Sequence, residues 1–305
     1  MKSGKFFLSL IMFVSILMPI KAYSLDITAG VATWYAWLYQ PYTQDVYHGI
    51  EGVNSSRYDE TEHKPNLLYG PALSVKFSED FNLTFIFLYG KFKITEVDKH
   101  DEVMFMGASG YYDIEYSFKR IDSDIALNYR LNDYFKIFAG IKYLSFSTDH
   151  SFDSLPTGWT KDDLRGMVYE IDRSGVGPGL GVTIILPMLI FDNLFLISNI
   201  SGFYLWTEEK KGYFSSDLVP SGTGGPIDVK TKCKDYGMNL TMSLAYYIQP
   251  IATTLSVGGR GQFVRTKYDS EYKQHLHKQK NKYGDDYNTS GFYGVTLTAT
   301  YTFGI

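Results

Sequence analysis

Residues 293–303 read YGVTLTATYTF, and this stretch decides the fold. Every second residue, Tyr293, Val295, Leu297, Ala299, Tyr301 and Phe303, is apolar, while Gly294, Thr296, Thr298, Thr300 and Thr302 lie between them. An extended chain turns alternate residues to opposite faces. One face of this segment therefore suits lipid, and the other suits water or a polar interior.

The same alternation, followed back along the chain, predicts ten strands, at about 26–39, 67–77, 81–95, 114–130, 134–148, 169–186, 194–206, 229–249, 252–267 and 289–303. Most exceed the roughly 9–11 residues that a tilted strand needs to cross a bilayer. Short connections at 78–80, 131–133, 187–193 and 250–251 alternate with long polar ones at about 40–66, 96–113, 149–168, 207–228 and 268–288. An antiparallel meander gathers the short turns at one end and the long loops at the other. The expected fold is an all-β, antiparallel, up-and-down transmembrane barrel of about ten strands, with eight or twelve as the alternative counts.

Register is testable from the sequence, because the lipid-facing residues of a hairpin must share a side. Centring the first short turn on Glu79 pairs Phe77 with Phe81; centring 187–193 on Ile190 pairs Leu186 with Leu194. Each pair is apolar on both sides. Trp34, Trp37 and Tyr39 at the loop end, and Tyr246, Tyr247, Tyr301 and Phe303 at the turn end, stand where two aromatic girdles are expected. A soluble sandwich or lipocalin-like barrel shares the alternation but turns its apolar face inward.

Composition narrows the classes. The 305 residues carry a net charge of −4, which excludes a strongly basic nucleic-acid binder. Aromatics make up 17%, a level suited to surfaces half in oil and half in water. A single cysteine, Cys233, excludes a disulfide framework and a multi-cysteine metal site. Residues 1–24 combine Lys2 and Lys5, an apolar run from Phe6 to Ile20 and small residues at Ala22 and Ser24, the pattern of a cleaved signal peptide. That leaves residues 25–305 as the barrel domain.

In these features the chain resembles a bacterial outer-membrane β-barrel protein over its whole mature length. Gly294, Leu297, Ala299, Tyr301 and Phe303 match the C-terminal pattern that barrel-assembly machinery reads, with Phe292 standing where that pattern has a polar residue. The resemblance implies integral residence in the outer membrane of a diderm bacterium, with both termini in the periplasm. It also implies contact with outer-membrane lipid and lipopolysaccharide, and with the assembly machinery and periplasmic chaperones.

Parity assigns the lumen. Arg120, Asp122, Asp124, Asn128 and Arg130 turn inward on the fourth strand, Lys136, Gly140 and Lys142 on the fifth, and Asp235 and Arg260 farther round. A turn centred on Asn132 sets Asp122 opposite Lys142, with Asp124 diagonal. Ten strands lie near the size at which side chains fill a barrel, so the charges form either an ionic plug or the lining of a narrow passage. Gly175, Gly177, Gly179 and Gly181 fall on consecutive inward positions, which leaves a groove or permits a bend.

Chemistry is not indicated. Omptin proteases share the strand count, but residues 207–228 hold no histidine for an Asp-x-His dyad. No Gly-x-Ser-x-Gly turn is present, so no catalytic residue and no cofactor is expected. All six histidines are assigned to the long loops, where His275 and His277 are a weak metal pair. The expected function is a narrow charge-lined pore or transport barrel. The alternative is a surface protein whose loops bind a ligand while a plugged barrel anchors it, and an omptin-like protease is a distant third.

Overall fold

The computed structural model describes residues 25–39, 61–63, 65–98, 112–152, 168–189, 191–213, 227–268 and 287–304. Ten strands make the wall: β1 (Asp26–Tyr39), β2 (Asn66–Lys76), β3 (Phe81–Asp98), β4 (Tyr112–Arg130), β5 (Phe135–Phe152), β6 (Val168–Pro187), β7 (Leu194–Tyr213), β8 (Ile227–Ile248), β9 (Thr253–Tyr268) and β10 (Tyr287–Gly304). Each pairs antiparallel with the next, and β10 pairs with β1 from Asp26–Gly304 to Tyr39–Gly291, which closes the barrel. A short segment, Thr61–His63, continues the line of β2 by pairing with Ile94–Glu96 of β3.

Several strands run farther toward the loop end than alternation predicts. β5 reaches Phe152 and β7 reaches Tyr213, so His150 lies in a strand opposite Tyr116 rather than in a loop. His63 likewise sits in the short pairing segment. The ladder is held by backbone hydrogen bonds, which every non-proline residue supplies whatever its side chain. Strands therefore continue after the apolar alternation stops.

The turns test the predicted registers. Lys76 faces Asn82, centring the first turn on Glu79 as expected, and Phe77 and Phe81 stack with centroids 6.2 Å apart. The other two are offset by two residues. Leu186 faces Leu196 instead of Leu194, and Lys142 faces Asp124 instead of Asp122. In the second case Asn132 Oδ1 accepts the backbone N–H groups of Tyr134 and Phe135, which lengthens the turn and starts β5 at Phe135. A two-residue offset keeps every side chain on its predicted face.

The barrel's core lies inside its bore. On β1 the inward residues Ala32, Trp34, Ala36 and Leu38 are all buried, and they join Leu68, Ala72, Leu88, Phe92, Phe118 and Phe292 in one apolar cluster. Trp34 is thus no girdle residue but a fully buried filler of the bore. Tyr247 shares its parity with the buried Ala245 and also leaves the girdle.

Candidate functional site in the barrel lumen

At mid-height the bore is bridged by charge. Asp122 on β4 is 1% exposed, and four donors converge on it. Lys142 Nζ donates to Oδ1 at 2.7 Å. Arg120 and Arg260 each donate to Oδ2 at 3.3 Å, and Gln262 Nε2 donates to the same oxygen at 3.1 Å. Gln262 also donates to Asn239 Oδ1 at 2.7 Å and accepts from Arg120. Because β4 and β5 face β8 and β9 across the barrel, these bonds tie opposite walls together.

Aromatic rings cover the cations. The Arg120 guanidinium lies 3.7 Å from the Phe292 ring centre, Arg260 lies 4.4 Å from Trp34, and Lys142 Nζ lies 5.3 Å from Phe203. Rings attract cations through their negative faces and shield them from water. The inward Phe292, anomalous in the terminal pattern, is explained by this role.

A second layer sits nearer the loop end. Arg173 on β6 donates to Glu209 at 3.3 Å, to Thr266 at 2.5 Å and to Asp235. Thr207 and Thr266 donate to Asp235 at 2.7 and 2.8 Å. In the lower layer Lys142, Arg120 and Arg260 meet Asp122 and Asp124; in the upper layer Arg173 meets Glu209 and Asp235. Only a gap of about 40 Å³ separates them. On the turn side of the lower layer a cavity of about 150 Å³ is lined by Asp124, Lys142, Arg260 and Asn199 together with the apolar Ile86 and Phe138, among others.

The outer wall is of the opposite character. Val31, Leu73, Leu127, Ile137, Leu180, Ile200, Leu240, Leu255 and Leu297, from nine different strands, are exposed on it. A continuous belt of this kind is untenable in water. On β8 the outward column runs Tyr236, Met238, Leu240, Met242, Leu244, Tyr246, roughly 33 Å along the strand at about 3.3 Å per residue. At the tilt of such barrels that height is about 25 Å, the thickness of their apolar band. Aromatic rings mark both edges, with Trp37 stacked on Tyr293 and Tyr204 against Trp206 and Tyr236 at the loop end. Phe81 on Tyr129 and Tyr301 on Phe303 mark the turn end. This is the wall of a membrane-spanning barrel.

No protein-family model and no curated protein sequence matches the chain. Among solved structures it is similar to a major outer membrane protein of Thermus thermophilus, at 11% identity and TM-score 0.36 over 91% of this chain and 99% of that one. It is also similar to the TodX monoaromatic hydrocarbon channel, at 10% identity and TM-score 0.33 over 93% and 91% of the two chains. A third is the attachment invasion locus protein Ail of Yersinia pestis, at 11% identity and TM-score 0.24 over 92% and 99%. At these values the likenesses carry nothing over to this barrel, whose character rests on its own closure and belt.

Of the residues assigned to the lumen by parity, Arg120, Asp122, Asp124, Lys142 and Arg260 form the lower layer. Asp235 belongs to the upper layer. Lys136 is half-buried on the same inward parity near the turns, and Arg130 is pulled out to Asp133 in the turn itself at 2.5 Å. Of the inward glycines, Gly175 and Gly177 are buried. A Cβ on Gly177 would lie 1.9 Å from the Tyr204 carbonyl oxygen, so there the glycine serves a close approach of strands. Gly294 similarly abuts the Tyr35 carbonyl, while Leu297, Ala299, Tyr301 and Phe303 face lipid. His275 and His277 lie outside the described residues, as do residues 1–24.

Parity extended one step further marks Arg173, two residues before Gly175, and Gln262, two after Arg260. Glu209 lies beyond the predicted end of its strand, where alternation gives no signal. Among the described residues no group of three or more His, Cys, Asp or Glu is placed to hold a metal ion.

Proposed function

We propose that this chain is an outer-membrane barrel whose bore is shut at mid-height, and that it anchors long connections which meet a ligand at the cell surface. The short turns and both strand termini then face the periplasm, and the loop end faces outward. The observation that supports this reading is the convergence of Lys142, Arg120, Arg260 and Gln262 on the buried Asp122.

A second reading, a gated passage for small solutes, is favoured by the cavity of about 150 Å³ that Asp124, Lys142 and Arg260 help to line. In that reading Arg120, Asp122, Asp124, Lys136, Lys142, Asp235 and Arg260 line the passage, and Arg130 stands at its mouth. Conductance in planar bilayers separates the two. The closed-bore reading expects a heat-modifiable but electrically silent wild type. Discrete openings whose size changes in a Lys142→Ala/Arg260→Ala variant would overturn it and establish the gated passage.

A further inference from the structure

Lys136 points into the bore near the turn end of β5. It is half-buried, and among the described residues it makes no hydrogen bond and no ion pair. The charges that act on it are Arg130, directly opposite on β4, and Lys76 on β2, both cations. The carboxylates beside those two are engaged already: Asp133 holds Arg130 at 2.5 Å in the turn, and Asp26 lies 3.9 Å from Lys76. Glu79, Asp80 and Asp192 are exposed in the turns. Like charges directly opposite work against a sheet, and an ammonium taken from water without a counter-charge works against burial. An anion seated beside Lys136 reverses both effects.

One inward position farther into the bore, roughly 6.6 Å along the strand, Phe138 lines the cavity of about 150 Å³ below the lower layer. That space admits on the order of ten water-sized groups, enough for a monosaccharide. Gly181 makes room for the ring, since a Cβ there would lie 2.5 Å from Phe138 Cζ. Gly179 lines the cavity itself, and a Cβ there meets nothing nearer than 3.7 Å. The polar groups around the space keep capacity for a further partner. Arg260 commits only Nη2, to Asp122 at 3.3 Å. Asn128 Nδ2 donates to wall oxygens at 3.1–3.2 Å and Asn199 Nδ2 to Thr183 at 3.3 Å, which leaves both Oδ1 atoms as acceptors. The Thr241 hydroxyl makes no hydrogen bond among the described residues. Asp124, the one carboxylate in this lining, has both oxygens on Lys142.

We propose that this half of the bore binds a monosaccharide-sized polyol carrying one anionic group, a sugar acid or a sugar phosphate, with the anion on Lys136. A sugar hydroxyl both donates and accepts, so it satisfies the amide oxygens of Asn128 and Asn199, the Thr241 hydroxyl and the remaining Arg260 N–H groups alike. The C–H face of the ring lies against Phe138, while Ile86 and Phe203 supply the rest of the apolar lining that such pockets use. A bare oxyanion satisfies Lys136 and leaves the cavity unfilled. A neutral sugar fills the cavity and leaves Lys136 without its counter-charge. The site lies on the turn side of the Asp122 cluster and stands whether or not the bore opens there.

Isothermal titration calorimetry of the refolded full-length barrel tests this, with glucuronate, glucose 6-phosphate, glucose and inorganic phosphate as probes. Wild type is expected to bind at least one of the two charged sugars about tenfold more tightly than glucose and than inorganic phosphate; the preference between the two tells a carboxylate ligand from a phosphate. Lys136→Gln is expected to bring the charged sugar down to the affinity of glucose, about a tenfold loss, while Lys136→Arg stays within about threefold of wild type. Gly179→Val, which fills the cavity from a position with room for a Cβ, is expected to abolish sugar binding in a barrel that still reaches the heat-modifiable form. Charged sugars bound no better than glucose overturn the proposal, as does an unchanged affinity in Lys136→Gln. Inorganic phosphate bound as tightly as the charged sugars overturns it too, and makes this a site for simple oxyanions. Should Gly179→Val not assemble, the two Lys136 variants decide alone.

Discussion

Lys142 Nζ lies 2.7 Å from Asp122 Oδ1, although the β4–β5 register sets Lys142 opposite Asp124. The ammonium leans toward the loop end and divides itself between its register partner, whose oxygens are at 3.0 and 3.1 Å, and the more deeply buried carboxylate two residues away. The diagonal contact ties β5 into the cross-bore cluster, because Asp122 alone of the two carboxylates also receives Arg260 from β9.

Lys142→Met keeps the stem and removes the charge. It should lower the unfolding free energy by about 3–5 kcal/mol, as expected when one member of a buried pair is lost. Asp124→Asn, at a side chain 35% exposed, should cost about 1 kcal/mol or less. Urea titration of the refolded barrel in vesicles measures both; equal losses would remove Asp122 from the centre of the cluster.

Arg120 and Phe292 should be coupled. With the guanidinium 3.7 Å from the ring centre in a dry setting, a double-mutant cycle of Arg120→Met and Phe292→Leu should give about 0.5–2 kcal/mol of interaction energy. Additive losses would reduce Phe292 to an apolar filler.

Two glycines on one strand should respond oppositely. Gly177→Ala drives a Cβ into the Tyr204 carbonyl at 1.9 Å and should reduce the heat-modifiable fraction. Gly179→Ala meets nothing closer than 3.7 Å and should assemble like wild type. Gel-shift assays after refolding, with and without boiling, provide the comparison.

Leu240→Arg addresses the belt itself. Leu240 faces outward at the middle of the β8 column, so in a bilayer the change should cost about 2–4 kcal/mol of folding free energy. If the barrel were soluble, the same substitution at an exposed position would be close to neutral. Urea titration in vesicles decides between these outcomes.

Much of this was legible in the chain. The β1 bounds 26–39 were predicted as observed, and parity placed Arg120, Asp122, Lys142 and Arg260 inside because the two-residue period is a local property of extended backbone. It failed at Trp34, where both faces of β1 are apolar and aromatic character alone pointed to the girdle. At Glu209 it failed because the strand outlasts its pattern.

The sequence by itself thus determined the number of strands, the face each residue takes and the presence of a lipid-facing wall. Only the tertiary structure decided which inward groups meet. The contact of Arg260 with Asp122 spans 138 residues, and the stacking of Phe292 under Arg120 joins β10 to β4. Both depend on ring closure and on registers set turn by turn, where an offset of two residues preserves every face yet changes every neighbour. Alternation is blind to such offsets, and cross-bore distance is nothing but their sum.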